Sequence, residues 1–474
     1  MPNRFSVSIR SNLIKSFLIY GLASACSKFI SVLLLPIYTT IFSVEEYGEI
    51  DLIQSVILII TIFGILQLET SLQRYYYEFE GKERKKMIST ILWSVTLLSA
   101  LLVVVFCLFA GWISVLLFRT DHFRDLLILS SFLILFTNMT TIFFIIIRYM
   151  KKPVLFAVLT LTQIFISIGS TLILVLVFDK GISGVFMGQI TGFGIVLLLQ
   201  LFLLKNEYSW QINKPILKSA FSFAIPQFPA RLGSVCNSYV NRFFMLGYLS
   251  TFAIGIYSVS LKFASIMTLI DSAFVMAWYP FMYDSLKSPQ HKELFRKIFK
   301  YACLTVFSLV VIISFFADDV LRLFIKNQDY YEASKYIGWL TLYQSLFILK
   351  EIIDIGPIIT KKTVYVTYSY LIASGFNLVF LYLSMQVGGL PEMVSAMVLT
   401  NIILLSSAWY FSHRLYPVNY NVRLFIVSFL ICCALLTAFH YIELLLLQKI
   451  IILLVLLTFG WFTRKRWWQA LSSN

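Results

Sequence analysis

The chain has 474 residues, 59% of them hydrophobic and only 13% charged. So little charge cannot cover a water-soluble protein of this length, and no polar stretch is long enough for a soluble domain. The net charge of +15 would suggest a nucleic-acid partner in a soluble protein, but most of it sits in the short connections between apolar runs.

Apolar runs long enough to cross a bilayer recur from end to end, the signature of a polytopic all-α membrane protein. About 14 spans are expected: 13–41, 50–73, 88–118, 125–147, 154–178, 182–204, 219–248, 252–283, 298–317, 334–359, 363–386, 391–412, 422–441 and 444–463. In the first, Leu22–Cys26 resembles a leader cleavage site after Arg4, Arg10 and Lys15. The apolar run continues to Ile37, which reads as a retained helix. The connections alternate in charge. With a cytoplasmic N-terminus, that side holds 26 Lys and Arg and the other side seven. This bias, together with an even span count, places both termini in the cytoplasm.

In span six, Gly184, Gly188 and Gly192 predict close helix packing. In span ten, Gly356-Pro357 predicts a kink or hinge. The Asn138-Met139-Thr140 sequon falls inside a span and carries no glycan signal. All six cysteines lie in apolar runs, and only four histidines exist. Neither a disulfide framework nor a metal site is expected. No catalytic triad, phosphate-binding loop or enzyme-like carboxylate pair occurs, so no cofactor is implied.

Identities recur at an offset of 207 residues: Ser27/Ser234, Ser31/Ser238, Ser43/Ser250, Gly48/Gly255 and Thr61/Thr268 among them. The offset superposes spans one and two on spans seven and eight. Six spans, an even number, separate the copies, so both point the same way. This predicts two pseudo-symmetric six-helix lobes about an axis along the membrane normal. The lobes are residues 1–210 and 211–415, and residues 416–474 form two additional C-terminal helices. Tyr20, Ser24, Ser27, Lys28 and Ser31 share one face of span one, and Gln227, Arg231, Ser234, Ser238 and Arg242 share one face of span seven.

Five cations lie within spans: Lys28, Arg231, Arg242, Lys262 and Lys350. So do the carboxylates Glu69, Asp271, Glu351 and Asp354. An unpaired charge in hydrocarbon costs about 2.5–3.5 kcal/mol on the insertion scale, so such groups pair, snorkel or face water. Lys28, Arg231, Arg242 and Lys262 are expected to line one cavity between the lobes, with no nearby carboxylate on the same helix to neutralise them; Asp271 is nine residues from Lys262, on the opposite face. Such a cavity suits a phosphate or pyrophosphate anion. Lys350 and Asp354 are i, i+4 neighbours suited to a local ion pair. Glu69, Asp271, Lys350 and Asp354 are the candidates for gating or ion coupling. Arg74 is either an interfacial anchor beside Tyr75–Tyr77 or a pyrophosphate receptor at the cavity entrance.

Pro36, Glu46-Tyr47-Gly48, Phe63-Gly64-Ile65 and Arg74-Tyr75-Tyr76 occur in that order. Gly255-Ile256-Tyr257-Ser258 and Trp278-Tyr279-Pro280-Phe281 follow in the second half. This pattern resembles the polysaccharide-exporting flippases of the Wzx type, within the multidrug/oligosaccharidyl-lipid/polysaccharide exporter superfamily. The resemblance implies a transporter rather than an enzyme. It would move an undecaprenyl-pyrophosphate-linked oligosaccharide, an O-antigen or capsule repeat unit, across the bacterial inner membrane by alternating access. It also implies membrane lipids, a polysaccharide polymerase and a chain-length regulator as partners, no nucleic acid, and a monomer. The rivals are a flippase for a peptidoglycan precursor or another lipid-linked glycan, a drug exporter of the same fold, and a membrane polysaccharide polymerase. The buried cations argue against a drug-cation exporter, and the short external loops argue against a polymerase.

Overall fold

The computed structural model describes residues 21, 34–286, 288–441 and 448–449. Lys28 and most of the expected first and last spans lie outside the described residues. Every regular element among the described residues is helical. The first half contains α1 (Leu35–Ile41), α2 (Val44–Ile65), α3 (Leu68–Tyr75), α4 (Gly81–Phe118), α5 (Arg124–Tyr149), α6 (Pro153–Leu176) and α7 (Gly181–Leu203). The second contains α8 (Lys214–Ala224), α9 (Phe228–Tyr248), α10 (Thr251–Ala264), α11 (Ile266–Ser285), α12 (His291–Phe315), α13 (Ala317–Phe324), α14 (Ser334–Ile353), α15 (Ile355–Ile359), α16 (Val364–Val387), α17 (Leu390–Leu415) and α18 (Val422–Tyr441).

Ten helices among the described residues are long and apolar enough to cross a membrane, counting α10 and α11 as one. Leu101, Leu108 and Trp112 of α4 are exposed, as expected of a lipid-facing surface. The chain is a multi-pass membrane protein. The expected spans 219–248 and 334–359 fall outside this set of ten. They are built from α8–α9 and α14–α15, the helices that carry Arg231, Arg242 and Lys350.

The two copies of the repeat begin alike. The Ser43 hydroxyl accepts from the Glu46 N–H at 3.2 Å, while Glu46 accepts from the Ser43 N–H at 2.8 Å. This reciprocal box satisfies two otherwise orphaned donors at the start of α2. Ser250 caps α10 in the same way, accepting from the Ala253 N–H at 3.3 Å. Helices α2 and α10 pack against each other. The Tyr330 hydroxyl, in the 3₁₀ turn Gln328–Ala333, donates to the carbonyls of Phe42 at 3.0 Å and Ser43 at 2.8 Å.

Several expected spans are broken. Span 50–73 is interrupted at Leu66 and Gln67, whose φ angles of 43° and 60° are left-handed. Neither is glycine, so each carries a steric penalty of about 1 kcal/mol or more. Span 252–283 is interrupted at Ser265, between α10 and α11. Pro226 sits in a 3₁₀ turn between α8 and α9. The kink predicted at Gly356-Pro357 takes the form of a break at Asp354, just before α15. Pro357 has no N–H for the Ile353 carbonyl. The Ser412 hydroxyl donates to that carbonyl at 2.5 Å and accepts from the Gly356 N–H at 2.9 Å.

The packed cores divide along the sequence. One draws only on residues 65–224, and α8 joins it through Ala220 and Ala224. The largest draws on residues 245–436, together with Leu35, Val44, Tyr47 and Leu52. Helices α6 and α7 pack through the predicted glycine run. A Cβ on Gly188 or Gly192 would overlap Thr171 or Ser167. Asn138 of the sequon is buried and structural: its amide donates to the Thr61 carbonyl at 3.0 Å and to Ser99 Oγ at 2.9 Å.

Candidate functional site

A cavity of about 400 Å³ lies among α2, α5, α6 and α7, with Lys262 of α10 in its wall. On α2 its lining runs Tyr47, Asp51, Gln54, Leu58 and Thr61, which is i, i+4, i+7, i+11 and i+14 and therefore one helical face. Gln163 on α6 and Gln189 on α7 add amides to the lining.

Beside this wall Arg242 is buried, with Nε 2.9 Å from Asp51 Oδ2. Its Nη1 donates to the Ser238 carbonyl at 2.5 Å and to Asn241 Oδ1 at 3.2 Å. The guanidinium lies over the rings of Tyr257 at 4.8 Å and Tyr239 at 5.3 Å. The Asn241 amide in turn donates to the Tyr257 hydroxyl at 2.9 Å. Lys262 is close enough to both Asp51 and Arg242 to interact electrostatically. Arginine suits such a paired, buried position because its fork of donors satisfies several acceptors at once.

A second buried cluster lies on α14. Lys350 Nζ is 2.5 Å from Asp354 Oδ2 and 3.5 Å from Glu351 Oε1. Tyr279 donates to Glu351 Oε2 at 2.6 Å, and the Tyr370 ring lies 4.8 Å from the ammonium.

A family model described as "Polysaccharide biosynthesis protein" matches residues 13–286, more than half of the chain. The chain belongs to the polysaccharide biosynthesis protein family. Its fold is similar to that of a solved "Lipid II flippase MurJ, inward closed conformation", with a TM-score of 0.70, 18% identity, and coverage of 94% of this chain and 99% of that one. It is also similar to the Vibrio cholerae MATE transporter VcmN in the bent form, with a TM-score of 0.56, 16% identity and coverage of 90% and 98%. An outward-facing multidrug resistance MATE family transporter of the MOP superfamily aligns with a TM-score of 0.59, 13% identity and coverage of 86% and 97%. A search of curated proteins returned no match.

In this polysaccharide biosynthesis protein the four cations expected to share one cavity are differently placed. Lys262 lines the cavity described above. Arg242 finds its carboxylate partner on another helix: Asp51 arrives from α2 in the other half of the chain. Arg231 is exposed on the first turns of α9, in the electrostatic field of Glu69 on α3. Lys28 lies outside the described residues. Arg74 is exposed and pairs with Glu78 at 3.1 Å, the arrangement of a surface anchor. Lys350 and Asp354 form the expected local ion pair, and Asp271 is half-buried on α11. Sequence reasoning missed Asp51 and the cavity glutamines. The spacing of Tyr47, Asp51, Gln54, Leu58 and Thr61 was the signal for Asp51 and Gln54; Gln163 and Gln189, on α6 and α7, carried no such signal.

Proposed function

We propose that the chain is a flippase for a polyprenyl-diphosphate-linked oligosaccharide. The cargo is an undecaprenyl-pyrophosphate-linked O-antigen or capsule repeat unit, carried from the cytoplasmic to the outer leaflet of the bacterial inner membrane. The observation that carries the reading is Lys262 in the wall of a cavity among helices long and apolar enough to span a membrane, beside the Arg242–Asp51 pair. Lys262 in the wall, with Asp51 engaged by the buried Arg242, offers a diphosphate a lysine donor. Membership of the polysaccharide biosynthesis protein family supports a glycan cargo. A peptidoglycan precursor shares the diphosphate and differs in its glycan.

In this proposal residues 1–210 and 211–415 act as two lobes that rock about the cavity. Residues 416–474 are appended helices, and both termini are cytoplasmic, as the basic-residue bias supports. The test is reconstitution in liposomes with a fluorescent undecaprenyl-diphosphate-linked oligosaccharide and a membrane-impermeant quencher. The wild-type chain should expose the probe to the quencher faster than empty liposomes do, and Lys262→Gln should slow it at least tenfold. Exposure no faster than in empty liposomes would overturn the proposal.

A further inference from the structure

The cavity holds more uncharged polarity than a diphosphate can use. Gln54, Gln163 and Gln189 come from three helices and line the same space. Thr61 and Thr137 add hydroxyls from α2 and α5. Amides at this depth are costly unless their donors and acceptors are engaged. Elsewhere some amides are engaged in the packed interior, whereas Gln200 and Asn237 are buried there with no hydrogen-bond partner among the described residues. Asn138 is bonded to Thr61 and Ser99, Asn241 to Tyr257, and Asn401 to the Tyr343 carbonyl. Among the described residues none is a hydrogen-bond partner to the amide of Gln54, Gln163 or Gln189. The three amides face open volume.

Their chemistry selects a ligand class. An ionised diphosphate is acceptor-only and calls for donors, so an amide's carbonyl oxygen has nothing to offer it. A sugar hydroxyl or acetamido group both donates and accepts, and a side-chain amide answers both roles. The volume of about 400 Å³ falls within the roughly 300–1,000 Å³ of small-molecule sites. We infer that Gln54, Gln163 and Gln189 form a sugar-recognition wall that binds the first, uncharged glycosyl unit of the lipid-linked cargo opposite Lys262. This inference rests on the flippase reading. It assigns glycan recognition to the first half of the chain and anion recognition to Lys262.

The test measures binding of two tritiated probes to the full chain in lipid nanodiscs: undecaprenyl diphosphate and undecaprenyl-diphosphoryl-N-acetylglucosamine. The wild-type chain should bind the glycosylated probe at least tenfold more tightly. Gln54→Leu, Gln163→Leu and Gln189→Leu should each cut that preference about fivefold, the scale of one hydrogen bond, and leave the bare probe's Kd unchanged. Leucine suits the apolar surroundings. Should a variant fail to fold, Gln→Met at that position, unbranched and of similar length, takes its place.

Equal wild-type affinity for the two probes overturns the inference, as does an unchanged preference in all three variants. Parallel loss of both probes also overturns it, because the amides would then be supporting the wall. Lys262→Gln should weaken both probes alike. If it weakens neither while the glutamine variants lose preference, the sugar wall stands and the anion assignment of the flippase reading falls. Wild type that binds neither probe overturns both readings.

Discussion

Gly48 and Gly255, separated by the 207-residue repeat, lie against each other's helices. A Cβ on Gly48 would overlap the Thr251 carbonyl, and a Cβ on Gly255 would overlap the Val44 carbonyl. Val44 and Thr251 are themselves 207 residues apart. The contact is reciprocal, as across a two-fold axis. Alanine at either glycine should force α2 and α10 apart. In a cysteine-free background, Gly48→Ala or Gly255→Ala should raise maleimide labelling of a cysteine placed at Ser250. Combining them should add little to either alone. Unchanged labelling would show that this crossing does not hold the two helices together.

Asp51 is the partner that keeps Arg242 tolerable. Asp51→Asn leaves a buried guanidinium short of its counter-charge, and breaking such a pair costs about 3–5 kcal/mol. The thermal midpoint of the purified protein should fall clearly. Asp51→Asn with Arg242→Met should recover most of the loss, since removing both partners of a buried pair is often near neutral. A double variant no more stable than Asp51→Asn alone would mean that Arg242 does more than neutralise Asp51.

Arg74 makes the opposite case. Its pair with Glu78 is solvent-exposed, and such pairs contribute about 0–1 kcal/mol. Arg74→Ala should therefore leave both the thermal midpoint and the flipping rate close to wild type. A tenfold loss of flipping with unchanged stability would move Arg74 into the substrate path.

Lys350 stands between Glu351 and Asp354, with Tyr279 holding Glu351 in place. Lys350→Met strands two carboxylates in a packed interior and should destabilise the protein by about 3–5 kcal/mol. Adding Asp354→Asn should restore part of that loss. Equal midpoints for Lys350→Met and wild type would show that the cluster is hydrated and carries little structural weight.

How much the sequence revealed depended on the range of each interaction. Apolar runs marked the helices because a bilayer demands them. The Lys350–Asp354 pair was legible because both partners sit one turn apart on one helix. The Arg242–Asp51 pair joins residues 191 positions apart, and no local spacing rule reaches that far. Asp51 follows Glu45, Glu46 and Glu49, so it reads as the end of a charged loop, although α2 begins at Val44. Pro357 announced its helix break, whereas the break at Pro226 falls inside a span, 219–248, expected to be continuous. The breaks at Leu66-Gln67 and Ser265 were not announced, because neither has a proline or a glycine at its turn. Charge drew attention to the cations, whereas Gln54 was legible only through the helical face it shares with Tyr47, Asp51, Leu58 and Thr61.

The Tyr330 phenol spans 287 positions to reach Ser43. Ribosomes add about 5–20 residues per second. The carbonyls of Phe42 and Ser43 therefore emerge on the order of 15–60 s before the donor that completes them. The first half of the chain is inserted with this end of the molecule unsealed. Only when the connection after α13 has been synthesised can the phenol close it. The seam between the halves is thus a late event in biogenesis, and a chain truncated before Tyr330 never acquires it.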